Sequence, residues 1–181
     1  MAASPTTPSS SAFTILESPI GPLTLVASEA GLQRLAFGAH RPDTGVEAPG
    51  HPILTKAAAQ LAEYFAGART AFDVPLDTTG TPFQQSVWAL LRKIPYGTTT
   101  SYGALALQLG SLGKSRAVGL ANNKNPVAII VPCHRVIGAS GALTGFGGGL
   151  DIKAFLLTLE QRRAPVAFAV QADLFSGGER L

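Results

Sequence analysis

The feature that most constrains this chain is its cysteine content, because its 181 residues contain one cysteine, Cys133. A single sulfur excludes an internal disulfide and any metal site built from several cysteines. A stable fold then depends on a hydrophobic core, which a hydrophobic fraction of 46% can supply. Cys133 precedes His134 and Arg135, and cationic neighbours of this kind are expected to lower the pKa of a thiol. The alternative role is that of a small buried apolar side chain.

The hydropathy and the two ends of the chain bear on its location. No apolar stretch approaches the ~20 residues that span a bilayer, so we expect no membrane contact. Residues 1–12 are rich in Ser, Thr, Pro and Ala and lack the basic and apolar regions of a signal peptide. We predict a disordered tail there, an irregular tail at 162–181, and a cytoplasmic protein whose thiol stays reduced.

The charge is distributed unevenly along the chain. Residues 1–80 carry four Lys or Arg against seven Asp or Glu, whereas residues 81–181 carry ten against four. A basic second half joined to an acidic first half suggests that only the second half meets a polyanion such as nucleic acid. A chance imbalance of surface charges is the alternative.

The N-terminal part, 13–79, is predicted to be a small α/β domain. Three runs rich in β-forming residues, separated by turn residues, predict strands: Phe13–Leu16, Leu23–Ala27 and Leu32–Phe37. The apolar spacing at 53–65 predicts an amphipathic helix, and 71–76 predicts one more strand. His40 and His51 lie in the intervening loop without the companions that a metal site needs, so we expect both to be solvated.

Residues 80–161 predict a mainly helical domain. Thr81, Pro82 and Gln84 form a capped helix start. Two more helices, one capped by Ser101 and one from about Lys114 to Ala121, flank a glycine-containing turn, which is a helix-turn-helix pattern. Beyond it we predict a strand at 127–131, a hairpin wing that pairs 136–137 with 142–143, and a last helix at 150–161 that buries Ile152, Phe155, Leu156 and Leu159.

Several spaced motifs in this second half match one known family. They are Ile94-Pro95-Tyr96-Gly97, Ser101-Tyr102-Gly103, Arg116-Ala117-Val118-Gly119, Asn125-Pro126-Val127, Pro132-Cys133-His134-Arg135-Val136, and Gly148-Gly149-Leu150 with Glu160. With these motifs the sequence closely resembles the O6-alkylguanine-DNA alkyltransferases, which repair DNA by direct reversal. The resemblance implies an α+β protein with a small N-terminal α/β domain of the RNase H-like type, followed by a winged helix-turn-helix domain. The N-terminal half resembles the family only in general layout.

The resemblance implies a methylated-DNA–protein-cysteine S-methyltransferase that acts once and inactivates itself. It would flip O6-alkylguanine out of double-stranded DNA and move the alkyl group irreversibly to Cys133, because a soft thiolate suits attack on a methyl carbon. Activity on O4-alkylthymine is left open. We expect no cofactor and no metal, since the relatives with zinc use N-terminal cysteines that this chain lacks. We expect a monomer in the nucleoid of a prokaryote or the nucleus of a eukaryote, with cooperative loading on DNA left open.

Catalytic roles also follow from the resemblance. His134 would act as a base on Cys133 through a water, and Glu160 would orient His134 and stabilise its cation. Tyr102 would push the 3′ phosphate of the target and donate a proton toward the leaving guanine. Asn125 would hold the turn that shapes the site.

The DNA-binding roles centre on the second helix of the pair. Arg116 would fill the stack that the flipped base vacates, and the helix would lie in the minor groove. Its small residues suit that close approach: Ala117, Gly119 and Ala121. The candidates for phosphate contacts are Lys93, Lys114, Lys124 and Arg135. For Arg135, an internal salt bridge is the alternative.

The substrate pocket is expected to include the backbone of Val136 and the loop from Leu143 to Gly148, with Phe146 and Gly147. Some relatives carry a serine in place of Gly147 that bonds the guanine oxygen, so here only the backbone N–H would do so. The smaller wall predicts acceptance of bulkier alkyl groups. A second departure is 122–124, Asn-Asn-Lys, which replaces an Asn-Gly-basic sequence, and Asn tolerates the left-handed turn that Gly would adopt.

Two other functions compete with alkyl transfer. The first is an alkylated-DNA-binding sensor or regulatory module without turnover. Relatives that bind alkylated DNA without repairing it lack the cysteine, which argues against this alternative. The second is a cysteine hydrolase built on Cys133, His134 and Glu160. Thiol proteases usually place the histidine far from the cysteine in sequence, whereas His134 directly follows Cys133 in this chain, which argues against a hydrolase.

Overall fold

The N-terminal half is a four-stranded sheet, seen in a computed structural model that describes residues 11–163. Three antiparallel neighbours confirm the predicted strands: β1 (Ala12–Leu16), β2 (Leu23–Ala27) and β3 (Leu32–Phe37). A short strand, β4 (Val46–Glu47), pairs in parallel with β1 and completes the order β3-β2-β1-β4. Two residues in a loop rich in Pro and Gly are too few for a sequence pattern, so β4 was not predicted.

Helix α1 (Pro52–Ala66) covers one face of this sheet. It buries the side chains of Leu54, Ala57, Leu61 and Tyr64, and it ends at Gly67, whose φ of 74° is the left-handed conformation that closes a helix. The strand predicted at 71–76 is wrong. Leu76 forms a single bridge to Leu32, and Pro75, which has no N–H for a ladder, contributes only its carbonyl.

The second half begins with α2 (Pro82–Leu91). Thr81 and Gln84 form the predicted capping box. The helix-turn-helix consists of α3 (Tyr102–Gln108) and α4 (Ser115–Asn123), joined by a 3₁₀ turn. Ser101 caps α3 by accepting from Ala104 N, as the sequence predicted.

The predicted wing is wrong in its pairing. Strand β6 (Val136–Ile137) pairs in parallel with β5 (Thr100–Ser101), and not with 142–143. Gly138 N donates to Ala142 O at 2.9 Å, which closes a turn without a ladder. The β-branched run at 127–131 is likewise not a strand, because local bonds such as Val131 N to Val127 O fold it into turns.

The last helix, α5 (Leu150–Arg163), includes Arg162 and Arg163, so the predicted boundary of the tail at 162 is wrong. At the other end β1 begins at Ala12, one residue inside the predicted N-terminal tail. The remaining tail residues, 1–10 and 164–181, lie outside the described part. A continuous cluster of buried side chains runs through both halves. Among the described helices, none has the length and apolarity needed to cross a membrane.

Candidate active site

Cys133 lies in the wall of a cavity between the two halves of the protein. It begins a 3₁₀ turn, Cys133–Arg135, and the residue is 5% exposed. The cavity has a volume of about 500 Å³. Its lining residues are Arg34, Leu35, Ala36, Phe37, His40, Asn122, Asn123, Lys124, Asn125, Pro126, Ala128, Cys133, Phe146 and Gly147. Cys133 therefore borders a space large enough for a nucleobase.

The turn that precedes the cysteine is held by Asn125. Its side-chain Nδ2 donates to Val131 O at 2.8 Å, and its Oδ1 accepts from Val127 N at 3.1 Å. Within this turn Ile129 has a φ of 72°, a left-handed conformation that is rare for a β-branched residue and costs free energy. The side-chain bonds of Asn125 help to hold this strained backbone in place.

Glu160 on α5 is fully buried and lies at the centre of a polar network. Its Oε1 lies 2.7 Å from His134 Nε2 and accepts from Tyr64 OH at 2.8 Å. Its Oε2 accepts from Arg135 Nε at 2.8 Å and from Gly97 N at 3.1 Å. Burial alone raises the pKa of Glu160, but the hydrogen bonds from His134 and Arg135 outweigh it and lower the pKa to about 2. Glu160 is therefore an anion at neutral pH.

The ionised carboxylate determines the tautomer of His134. Because Glu160 can only accept, His134 Nε2 carries the proton and Nδ1 keeps a free lone pair. Nδ1 is buried and has no hydrogen-bond partner among the described residues. Burial lowers the pKa of His134, against the opposing effect of Glu160, so the ring is neutral at rest. This arrangement provides a base with one nitrogen anchored and the other free.

The prediction of a lowered thiol pKa is wrong for this resting structure. Burial raises the pKa of Cys133 to about 11, although Asn125 and the charge of Lys153 act in the opposite direction. The two cationic neighbours in sequence do not supply the expected charge. His134 is neutral, and the guanidinium of Arg135 is paired with Glu160. The resting sulfur is therefore a neutral thiol.

Lys153 places a second buried charge behind the cysteine. Its side chain is fully buried, and Nζ donates to Val136 O at 2.6 Å and to Thr144 O at 2.7 Å. Desolvation lowers the pKa of Lys153, while Cys133 acts to raise it. The ammonium therefore joins the two ends of the loop after the cysteine and stabilises negative charge on the sulfur.

This constellation suits transfer of a group to sulfur. It combines a protected thiol, a base with a free nitrogen, a buried acid that orients the base, and a cation beside the sulfur. Among residues 11–163, no group of three or more His, Cys, Asp or Glu could hold a metal.

Comparisons with known proteins agree with this chemistry. The family described as 6-O-methylguanine DNA methyltransferase, DNA binding domain, matches residues 82–162, and its ribonuclease-like domain matches residues 12–78. The chain belongs to the O6-methylguanine DNA methyltransferase family. This result confirms the resemblance seen in the motifs and shows that the N-terminal domain is of the ribonuclease-like type.

Individual relatives are similar over most of their length. The methylated-DNA–protein-cysteine methyltransferase of Methanosarcina acetivorans is 53% identical, over 82% of this chain and 97% of its own. The enzyme of that name from Mycobacterium tuberculosis is also 53% identical, over 84% and 94%. The crystal structure of M. tuberculosis OGT in complex with DNA has a TM-score of 0.78 at 53% identity and covers 85% of this chain and 95% of that one.

Within this family framework, several residues of the predicted site lie together. His134 is hydrogen-bonded to Glu160 and directly follows Cys133 in the chain, and the side chain of Asn125 bonds the thiol of Cys133. Tyr102, the first residue of α3, lies next to Gly119 of α4, and its hydroxyl is 3.4 Å from Thr144 Oγ1.

The predicted DNA-binding residues differ in exposure. Four are exposed on or near α4: Lys114, Arg116, Ala117 and Lys124. Ala121 is 3% exposed, and its carbonyl accepts from Trp88 Nε1, so its predicted place on the DNA surface is wrong. Arg135 is also wrong as a phosphate contact. It is buried and donates to Glu160 and to Ile94 O, which is the internal role given as its alternative.

The predicted pocket is only partly the observed cavity. Phe146 and Gly147 line it, whereas Val136, Leu143 and Gly148 do not. Val136 is fully buried with its carbonyl bonded to Lys153, and Gly148 packs against the ring of Phe37.

Three groups of functional residues were not predicted from the sequence. Lys153 lies on the buried face of α5 with Leu156, Leu157 and Glu160, at the i, i+3, i+4 and i+7 spacing that could have revealed it. The buried face of α5 therefore differs from the predicted one, which included Phe155, since Phe155 is 39% exposed. Tyr64 lies within the helix predicted at 53–65, but the sequence assigned it no role.

The part of the cavity wall that comes from the N-terminal half was also not predicted from the sequence. Arg34, Phe37 and His40 reach it from β3 and the following loop, and no local pattern shows this pairing of halves. Leu35 N donates to Pro126 O at 2.9 Å, which joins β3 to the turn before the cysteine. His51, predicted to be solvated, has a side chain only 11% exposed, 3.4 Å from Glu29.

Proposed function

We propose that this protein repairs double-stranded DNA by moving the alkyl group of O6-alkylguanine onto Cys133. As a member of the family, it is a methylated-DNA–protein-cysteine methyltransferase. In the reaction a bond forms between Sγ and the alkyl carbon, and the bond from that carbon to O6 breaks. The electron pair returns to the guanine, which takes up one proton. The thioether product has no easy route back, so each molecule acts once.

The observation that carries the proposal is the buried Cys133 in a base-sized cavity, backed by the oriented pair of His134 and Glu160. His134 Nδ1 takes the thiol proton through a water, and Glu160 stabilises the imidazolium that forms. Lys153 stabilises the thiolate in the same step. A soft thiolate is a strong nucleophile toward an alkyl carbon.

The exposed face of α4 supports a role in DNA binding. Arg116 and Ala117 are exposed there, between Lys114 and Lys124. We infer that α4 enters the minor groove and that Arg116 fills the stack left by the flipped nucleotide, which costs a few kcal/mol to extrude. We infer that Tyr102, which lies beside Gly119, pushes the backbone phosphate and donates the proton that the guanine takes up.

The competing functions have less support. A pure recognition module gives no function to the thiol of Cys133 or to the neighbouring pair of His134 and Glu160. We propose that the protein acts as a monomer in the cytoplasm or nucleoid, a reducing environment that keeps Cys133 in its thiol form.

The test is intact-protein mass spectrometry after incubation with a duplex that carries one O6-methylguanine. The expected result is a gain of one methylene mass per protein, never more, and no gain in Cys133→Ala. Repaired DNA with an unchanged protein mass would indicate a turnover enzyme. Binding without change in either partner would leave only the recognition module.

A further inference from the structure

Residues 1–80 contain four Lys or Arg side chains, and three of them are held in surface ion pairs. Each of the three lies 2.6–3.2 Å from a carboxylate: Arg41 from Glu47, Lys56 from Asp73, and Arg69 from Glu63. The fourth, Arg34 on β3, is exposed and forms no ion pair within residues 11–163. A guanidinium without a carboxylate partner keeps its five N–H donors available to an external anion.

The position of Arg34 is fixed by the contact between the two halves of the protein. Its neighbour Leu35 is 3% exposed, and Leu35 N donates to Pro126 O at 2.9 Å, which holds β3 against the segment that follows α4. Because neighbouring side chains on a strand point to opposite sides, Arg34 points outward beside the end of α4. It lines the cavity of Cys133 together with Lys124. Two cations from different halves of the chain therefore border one cavity.

The charge around this cavity is positive, because the described residues that line it include no Asp or Glu. Lys124 also belongs to the exposed basic surface of α4, which includes Lys114 and Arg116. Arg34 extends this basic surface from α4 onto β3. The DNA backbone carries one negative charge per phosphate, and a guanidinium can bind a phosphate through two parallel N–H bonds. The backbone of DNA is therefore the partner that fits Arg34.

We propose that Arg34 binds a phosphate of the damaged strand close to the flipped nucleotide, so that the N-terminal half takes part in DNA binding. The proposal rests on the alkyl-transfer function proposed above, because a base that reaches Cys133 brings its own backbone to the edge of the cavity. The charge distribution predicted that only the second half meets a polyanion, and Arg34 adds a contact from the first half. This contact is made to the DNA backbone and not to the base or the sulfur.

The first measurement is the salt dependence of duplex binding by the wild type, Arg34→Gln and Arg34→Lys. Each phosphate contact contributes about 0.9 to the slope of log K against log salt, or about 8-fold in affinity over a roughly tenfold range of salt. Arg34→Gln should lower the slope by about 1, and Arg34→Lys should keep it. The control Arg69→Gln removes the same charge from an ion pair outside the cavity and should keep the wild-type slope. An equal change in Arg34→Gln and Arg69→Gln would indicate an effect of net charge and would overturn the contact.

The second measurement locates the phosphate. Each duplex carries one O6-methylguanine and one uncharged methylphosphonate, whose position moves along the damaged strand from one duplex to the next. In the wild type, loss of the charge that Arg34 binds should lower the second-order rate constant for methyl transfer by up to about 10-fold. Arg34→Gln should show no loss at that position, because the contact is already absent. Equal losses in the two proteins at every position would overturn this proposal alone, whereas no methyl on Cys133 in the wild type would overturn the proposed function.

Discussion

The substitution Glu160→Gln tests the buried network most directly, because it keeps the size of the side chain and removes its charge. Glu160 accepts hydrogen bonds from four residues: Tyr64, Gly97, His134 and Arg135. A glutamine would place an N–H among these donors and would leave the buried guanidinium of Arg135 unpaired. Removing one partner of a buried ion pair typically costs about 3–5 kcal/mol.

The pKa of Glu160 gives a second route to the same quantity. The pKa is lowered from 4.5 to about 2, and each unit corresponds to about 1.36 kcal/mol, which gives about 3 kcal/mol. Because the folded pKa lies below the unfolded one, this stability is fully present above about pH 4.5 and is lost as the pH falls toward about 2. The two routes agree in size, and the second predicts a pH window.

Urea unfolding of the wild type and Glu160→Gln, from about pH 7 to about pH 2.5, measures this window. The wild type should be more stable by about 3 kcal/mol at neutral pH, and the gap should narrow below about pH 4.5. Glu63→Gln is the matched control, since Glu63 forms a surface pair with Arg69 and should change stability by less than about 1 kcal/mol. A gap of constant size across the whole range would refute the assignment of this charge to the network. Methyl transfer should also slow by up to about 10⁴-fold, because the tautomer of His134 is no longer fixed.

Four further outcomes are expected. Iodoacetamide should alkylate Cys133 with a midpoint near pH 11, and a midpoint near the ordinary value of 9 would show that the thiol is not desolvated. Lys153→Met should raise that midpoint further and slow methyl transfer, and an unchanged pH profile in the folded variant would remove the charge of Lys153 from the argument. Gly147→Ser adds a side chain in open space beside the cavity, because a Cβ there meets no atom within 4 Å. In a competition assay the variant should slow transfer from O6-benzylguanine more than from O6-methylguanine, and equal slowing of both would contradict this prediction. Arg116→Ala should slow repair of a methylated duplex but leave the reaction with free O6-benzylguanine unchanged, and equal loss on both would refute a role in base flipping.

The local parts of this fold could be predicted because their signals lie within a few residues of sequence. Examples are the capping box of Thr81 and Gln84, the helix end at Gly67 and three of the four strands of the N-terminal sheet. The predicted pairing of the wing was wrong because the true partner is distant in sequence. The partner of Val136–Ile137 is Thr100–Ser101, more than thirty residues away, and no local pattern identifies a parallel partner.

The candidate site divides in the same way. Cys133, His134 and Glu160 could be found because their motifs match a family. The burial of Arg135 against Glu160 and the raised pKa of Cys133 could not be predicted, because both depend on burial produced by the whole fold. A cationic residue next to a cysteine in sequence lowers the pKa of the thiol only if the cation also lies close to the sulfur in space.

A sulfur that is used once has to remain unreacted until an alkylated base arrives, and the burial of Cys133 provides this protection. With a pKa of about 11, nearly all resting protein carries the neutral thiol, which is a poor nucleophile. The groups that reverse this state are already in place, since His134 Nδ1 has a free lone pair and Lys153 carries a buried charge. A base that fills the cavity excludes water, which strengthens the attraction between Lys153 and a developing thiolate but also increases the desolvation cost of that thiolate. Activation of the sulfur therefore depends on removal of its proton as well as on the charge of Lys153.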